Sequence, residues 1–157
     1  MGDDGIAWGG SGIEKVVYHW IRNHVQEGST IVELGAGHVS TKALSRKYDL
    51  YSVEHNTRFL GYYDATYIHA EIDPATNWYE RKILEKHLPR KDLQKLILID
   101  GTNREGILNN LDLFNPEAYY LVHDTYRPAE VDLANQLGNV FNMPVTFHTD
   151  GDYWATI

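Results

Sequence analysis

The chain contains no cysteine, which excludes a disulfide framework and any thiolate-bound metal. Positive charge is scarce: 14 Lys and Arg face 22 Asp and Glu, a formal net charge of -8. That balance opposes attraction to a nucleic-acid backbone or an anionic membrane surface. The basic residues are scattered, and the densest group, Arg90, Lys91 and Lys95, reads as a solvated helix end. No run approaches the ~18 apolar residues of a membrane span. The first residues, Met1 to Gly5, are acidic and lack the apolar segment of a signal peptide. Ile6 stands where a myristoylation pattern needs Ser or Thr. Neither a repeat, a linker nor a low-complexity tract interrupts the chain. The expectation is a soluble, cytoplasmic protein with neither nucleic acid nor membrane as partner. Its 157 residues, 43% hydrophobic and 23% charged, suit one globular domain spanning 1–157.

Apolar periodicity supplies the elements. Ser11-Gly12-Ile13-Glu14 has the form of a capping box, and Ile13, Val16, Val17, Trp20, Ile21 and Val25 then share one helical face before Glu27-Gly28. Strands are expected at Thr30 to Leu34, Leu50 to Glu54, Thr66 to Ile72, Leu96 to Ile99 and Ala118 to Val122. Between them, helices are expected at Ser40 to Tyr48, Asn56 to Asp64, Trp78 to Leu88, Arg104 to Phe114 and Pro128 to Asn139. The chain closes with a hairpin, Val145 to His148 and Tyr153 to Ile157, turning at Asp150-Gly151. Strands alternating with helices imply a mostly parallel sheet, covered on both faces, with an antiparallel hairpin at the carboxy-terminal end.

In such sheets, ligands sit outside the carboxyl ends of the strands. Here those ends carry Glu33, Glu54, His55, Asp100, His123 and Asp124. The first is followed by the turn Gly35-Ala36-Gly37-His38-Val39-Ser40. Glycines there let the backbone approach a ligand closely. An acid at the second strand end can accept hydrogen bonds from both ribose hydroxyls. A dinucleotide turn needs a third glycine, and this chain has Ser40. Glu33 would repel a pyrophosphate but attract a cationic tail or sulfonium.

Glu33-Leu34-Gly35-Ala36-Gly37, followed by Glu54, resembles the first two motifs of the class I, Rossmann-like S-adenosylmethionine-dependent methyltransferases. The closing hairpin, which distinguishes those enzymes from dehydrogenases, extends the likeness. The resemblance implies S-adenosyl-L-methionine as cofactor, held by Glu33, Gly35, Gly37, His38, Ser40, Glu54, His55 and Asp100. Asp100 and Asp124 resemble the strand-end acids of catechol-type O-methyltransferases, which implies a divalent cation, Mg or Mn, on those two residues. Thr125 stands where that family has an amide, leaving His123 as the local third ligand. His123-Asp124-Thr125-Tyr126-Arg127 and the Gly-x-Gly-His turn are similar to stretches of the glucuronoxylan-type sugar O-methyltransferases. That implies a small-molecule or carbohydrate hydroxyl as acceptor.

Asp100, His123 and Asp124 are thus the candidate catalytic residues, with His123 expected as a neutral imidazole able to take a hydroxyl proton. Trp78-Tyr79, placed after the third strand, is a candidate stack over the adenine. His19, His24, His69 and His148 read as ordinary polar residues. Little chain is available for a lid, so a second copy is expected to complete the acceptor pocket. Two alternatives stay open on the same scaffold: cleavage of the cofactor itself, and a non-catalytic cofactor-binding partner subunit.

Overall fold

A computed structural model describes residues 6–9 and 12–157. Among these described residues nine strands form: β1 (Thr30–Leu34), β2 (Asp49–Glu54), β3 (Thr66–His69), β4 (Ile72–Asp73), β5 (Trp78–Tyr79), β6 (Gln94–Ile99), β7 (Tyr119–His123), β8 (Thr146–His148) and β9 (Trp154–Thr156). Four α-helices accompany them: α1 (Lys15–His24), α2 (Ser40–Ser45), α3 (Arg81–His87) and α4 (Pro128–Phe141). Seven strands make one sheet in the order β3-β2-β1-β6-β7-β9-β8. Every neighbour is parallel except β9, which runs antiparallel to both β7 and β8. The expected α/β class, with its antiparallel closing hairpin, is the observed one. Among the described residues no helix is long and apolar enough to cross a membrane.

Side chains alternate across the central strands with a period of two, and each face meets its own layer. Ile31, Leu96, Leu98 and Leu121 join Val17, Tyr18, Ile21 and Leu44 in one buried cluster, on the side of α1 and α2. Val32, Leu34, Ile97, Ile99 and Val122 join Leu84, Leu133 and Leu137 in the other, on the side of α3 and α4. Two-sided burial explains why β6 reads as an unbroken apolar run rather than an alternating one.

Several elements are shorter or different from the sequence reading. The capping box cannot be traced, because Ser11 lies outside the described residues; α1 begins at Lys15, and its N-cap Glu14 makes no side-chain cap bond. Asn56 does cap, accepting from Arg58 N at 3.0 Å, but only one 3₁₀ turn (Thr57–Phe59) follows. Gly61, at φ +81, lies just beyond it in a conformation no helix uses. The expected third strand breaks after His69. Ile72–Asp73 pairs instead with Trp78–Tyr79, across a turn in which Asn77 sits at φ +59 and donates to Asp73 O at 2.7 Å. Trp78 and Tyr79 are therefore strand residues, both buried, and not part of an exposed loop.

The region 104–113 forms 3₁₀ turns (Arg104–Asn109 and Leu111–Leu113) rather than an α-helix. Its backbone lies against the Trp78 ring at Gly106, where a Cβ would collide with the indole. α4 runs two residues longer than expected and stops at Asn142, in the left-handed region at φ +51.

Candidate functional site

Strand order reverses direction between β1 and β6, so the crevice outside their carboxyl ends is the switch point at which α/β sheets bind ligands. Two glycines make its floor. Gly35 follows β1 at φ +106, and a Cβ on it would stand 2.5 Å from Gly101 Cα. Asp100 N donates to Leu34 O at 3.0 Å, which continues the β1–β6 ladder up to that contact.

Glu54 ends β2 beside this floor. It is 5% exposed, and its carboxylate ties two loops together. Oε1 accepts from Ala36 N at 3.0 Å and Oε2 from Asn56 N at 2.7 Å. His55 Nδ1 stands 3.1 Å from the same Oε2. Each oxygen keeps acceptor capacity, since a carboxylate offers about four lone-pair sites. Gly37 N donates to Thr41 Oγ1 at 2.9 Å. His38 is ringed by aromatic side chains of the segment after β2, with Phe59 at 5.1 Å and Tyr62 at 4.8 Å between ring centroids.

Glu33 lies beneath the turn and is fully buried. Its Oε1 accepts from Thr41 Oγ1 at 2.6 Å and Ser52 Oγ at 2.5 Å, while Oε2 finds no partner among the described residues. Burial pushes its carboxyl up to about 7, against the lowering effect of the Ser52, Thr41 and Ser40 hydroxyls. Ser40, also buried, lies close enough to act on the acid but is not in hydrogen-bonding geometry with it. Of the residues expected around the cofactor, Gly35 and Glu54 are therefore placed at the crevice. Glu33 and Ser40 stand under it, supporting the turn from below.

On the other side of the crevice, Asp100, His123 and Asp124 come together as expected, at the ends of β6 and β7. His123 Nδ1 lies 2.8 Å from Asp100 Oδ1 and 3.4 Å from Asp124 Oδ1. Its Nε2 lies 2.6 Å from Asp152 Oδ2, in the loop between β8 and β9. Arg104 threads the same cluster. One of its terminal nitrogens donates to Asp100 Oδ1 at 3.0 Å and Asp124 Oδ2 at 2.7 Å, and the other to Glu130 Oε1 at 3.3 Å. Asp124 adopts φ +62, a left-handed conformation that Asp tolerates better than most residues.

His123 departs from the expected free base. Burial alone would lower its pKa, but the hydrogen bond to Asp100 and the charges of Asp100, Asp124 and Asp152 raise it to about 9. At neutral pH the ring is an imidazolium with both nitrogens engaged, so the neutral, proton-accepting form is the minor one. Arg104 and Asp152 were missed in the sequence. Arg104 had a signal, standing four residues after Asp100, where a turn brings it back. Asp152 had none, because it follows an Asp-Gly pair that already explained the hairpin.

Asp100, His123 and Asp124 each offer one metal-ligating atom, all within 4.8 Å of one another. As the side chains stand, the Arg104 guanidinium bridges both acids, so a divalent cation there would have to displace it. An imidazolium also cannot ligate a metal. At the rim, Tyr126 and Tyr153 are both about half exposed and meet edge to face, with centroids 6.1 Å apart. The Arg127 guanidinium lies 5.3 Å over the Tyr126 ring.

No protein-family model matches the sequence, and no curated protein sequence does. Solved structures do. The precorrin 8W decarboxylase of Methanobacterium thermoautotrophicum aligns with a TM-score of 0.61 at 14% identity, over 99% of this chain and 97% of its own. The precorrin-6y C5,15-methyltransferase of Geobacter metallireducens gives 0.62 at 17%, over 98% and 94%. The MycE methyltransferase of the mycinamycin biosynthetic pathway, solved with Mg and SAH, gives 0.56 at 12%, over 90% of this chain and 46% of its own. At such identities the likeness is one of fold. The chain has the α/β, Rossmann-like fold of the class I methyltransferases.

Proposed function

We propose that the protein is an S-adenosylmethionine-dependent methyltransferase acting on a hydroxyl of a small molecule or carbohydrate. One observation carries the choice of cofactor: two backbone N–H groups of the glycine turn point at protein, not at the crevice. Ala36 N is taken by Glu54 and Gly37 N by Thr41. A pyrophosphate depends on such donors, so a dinucleotide is poorly served. A ligand with hydroxyl donors and a positive centre is well served, because the crevice presents Glu54 and Asp100. A sulfonium nucleoside has both features.

The cofactor supplies an already activated methyl group; the chain's part is to hold donor and acceptor in line. Glu54 would accept from the ribose hydroxyls. Asp100, fixed by Arg104 and His123, would border the methyl group. Tyr126 and Tyr153 offer flat apolar surfaces beside it, suited to the face of a ring-bearing acceptor. With His123 charged and both ring nitrogens bonded to Asp100 and Asp152, its part would be to hold those two carboxylates in place, not to remove the acceptor's proton. A divalent cation on Asp100 and Asp124 does not fit the side chains as they stand, since Arg104 already supplies positive charge between them.

Calorimetry with S-adenosylhomocysteine and NAD tests the cofactor. Binding of the first and not the second is expected. Glu54→Ala should weaken it by roughly 1.5–3 kcal/mol for each charge-assisted hydrogen bond lost. Tight NAD binding, or unchanged affinity in a folded Glu54→Ala variant, would overturn the assignment. Methyl transfer from labelled cofactor to a panel of sugars and phenols tests the reaction.

A further inference from the structure

Tyr79 belongs to β5, a strand outside the main sheet, yet its hydroxyl arrives beneath the β1–β6 crevice. The side chain is 2% exposed, and Oη has no hydrogen-bond partner among the described residues. Its position is fixed by Gly101: a Cβ there would collide with the Tyr79 hydroxyl and stand 2.9 Å from Leu34 O. Gly101 in turn underlies Gly35. The phenol therefore stands against Gly101, one of the two glycines that floor the crevice. Burial pushes its pKa up, and Glu54 is the strongest of the charged neighbours that act on it, so the group remains an O–H donor.

A buried hydroxyl without a partner costs roughly 1–3 kcal/mol, and such groups are rare in folded proteins. Phenylalanine would fill the same space without that cost. The acids nearby do not accept the proton either, since Tyr79 Oη is within hydrogen-bonding geometry of none of them. The phenol is thus a donor for which the described residues offer no acceptor. The adjoining turn has two of its own N–H groups spent on protein, so a ligand oxygen there needs a donor from elsewhere.

We propose that Tyr79 is a cofactor-binding residue whose O–H donates to an oxygen of the nucleoside part of the ligand, on the side facing Glu54. Acceptor and donor would then flank the same sugar, Glu54 taking hydroxyl protons and Tyr79 giving one. The inference rests on the nucleoside-cofactor reading above.

The test is Tyr79→Phe, measured by calorimetry with S-adenosylhomocysteine and with adenosine, and by thermal unfolding without ligand. The variant should fold with a Tm equal to or above that of the unmodified protein, because the lost hydroxyl bonded nothing. Its Kd should rise roughly tenfold for both ligands, the loss of one hydrogen bond of ~1.4 kcal/mol. Unchanged affinity would overturn the proposal, as would an effect confined to S-adenosylhomocysteine, which would move the contact to the amino-acid tail. A variant that fails to fold, or loses Tm without ligand, would show a structural hydroxyl and overturn it too. If the unmodified protein binds neither ligand, the cofactor reading itself falls, a result visible before any variant is made.

Discussion

Arg104 bonds Asp100 and Asp124 through a single nitrogen, at 3.0 and 2.7 Å, and so joins the ends of β6 and β7 in one ion cluster. The guanidinium is 6% exposed and Asp100 8%. Two strand-end carboxylates this close would repel each other unless a cation stood between them.

Removal of that cation should be costly. Arg104→Leu is expected to destabilise the fold by about 3–5 kcal/mol, because it strands buried carboxylates. Arg104→Lys should recover only part of this, since an ammonium cannot reach three carboxylates with a planar fork. Urea denaturation of both variants measures the difference. With Arg104 in place, added chelator should leave stability unchanged; a chelator-induced drop in Tm would show a bound metal.

Stability should depend on His123 protonation in a defined direction. The folded pKa, about 9, lies above the ordinary 6.5, so the native state holds a proton the unfolded chain has released. The contribution is full below pH 6.5 and is lost as pH rises through about 9, with a slope of up to ~1.4 kcal/mol per pH unit. His123→Asn should abolish that slope and converge with the unmodified protein at higher pH. Parallel curves from pH 6 to 10 would contradict the charged imidazole.

Glu33 gives a second window of the same sign. Its folded pKa of about 7 exceeds the ordinary 4.5, so the buried acid prefers to stay neutral. Its favourable contribution is full below pH 4.5 and lost as pH rises through about 7. Glu33→Gln keeps an acceptor for Thr41 and Ser52 without the charge, and should gain about 3 kcal/mol at pH 8 relative to pH 4.5. Denaturation at the two pH values measures it.

Gly35→Ala should be poorly tolerated. A left-handed backbone strains a side chain by roughly 1–3 kcal/mol. The Cβ would also meet Gly101 Cα at 2.5 Å, a backbone atom that cannot rotate away, adding roughly 1–3 kcal/mol of overpacking. Denaturant midpoints report the sum.

The sheet was legible because β1, β2, β6 and β7 carry apolar runs whose burial depends only on period and length. The acids that follow them were legible for the same reason, being breaks in an apolar run. What sequence could not convey was pairing between distant residues. Arg104 meets Asp124 across 20 positions, and His123 meets Asp152 across 29. The protonation of His123 follows from those neighbours, so a free-imidazole pKa misjudged it. The segments Asn56 to Asp64 and Arg104 to Phe114 were read as helices because local pattern does not separate α from 3₁₀ turns. Contact of Gly106 with the Trp78 ring, invisible in sequence, accompanies the second.

The loop between β8 and β9 has the look of an ordinary hairpin tip, an exposed place where chains usually accept insertions. Here Asp152 Oδ2 receives Glu14 N at 3.3 Å and lies against His123 Nε2. One carboxylate thus fastens the start of α1 to the end of β7. Lengthening or tagging the tip would shift that carboxylate, and the disturbance would surface at the strand ends, not at the tip. In protein engineering terms, this loop is a poor graft site.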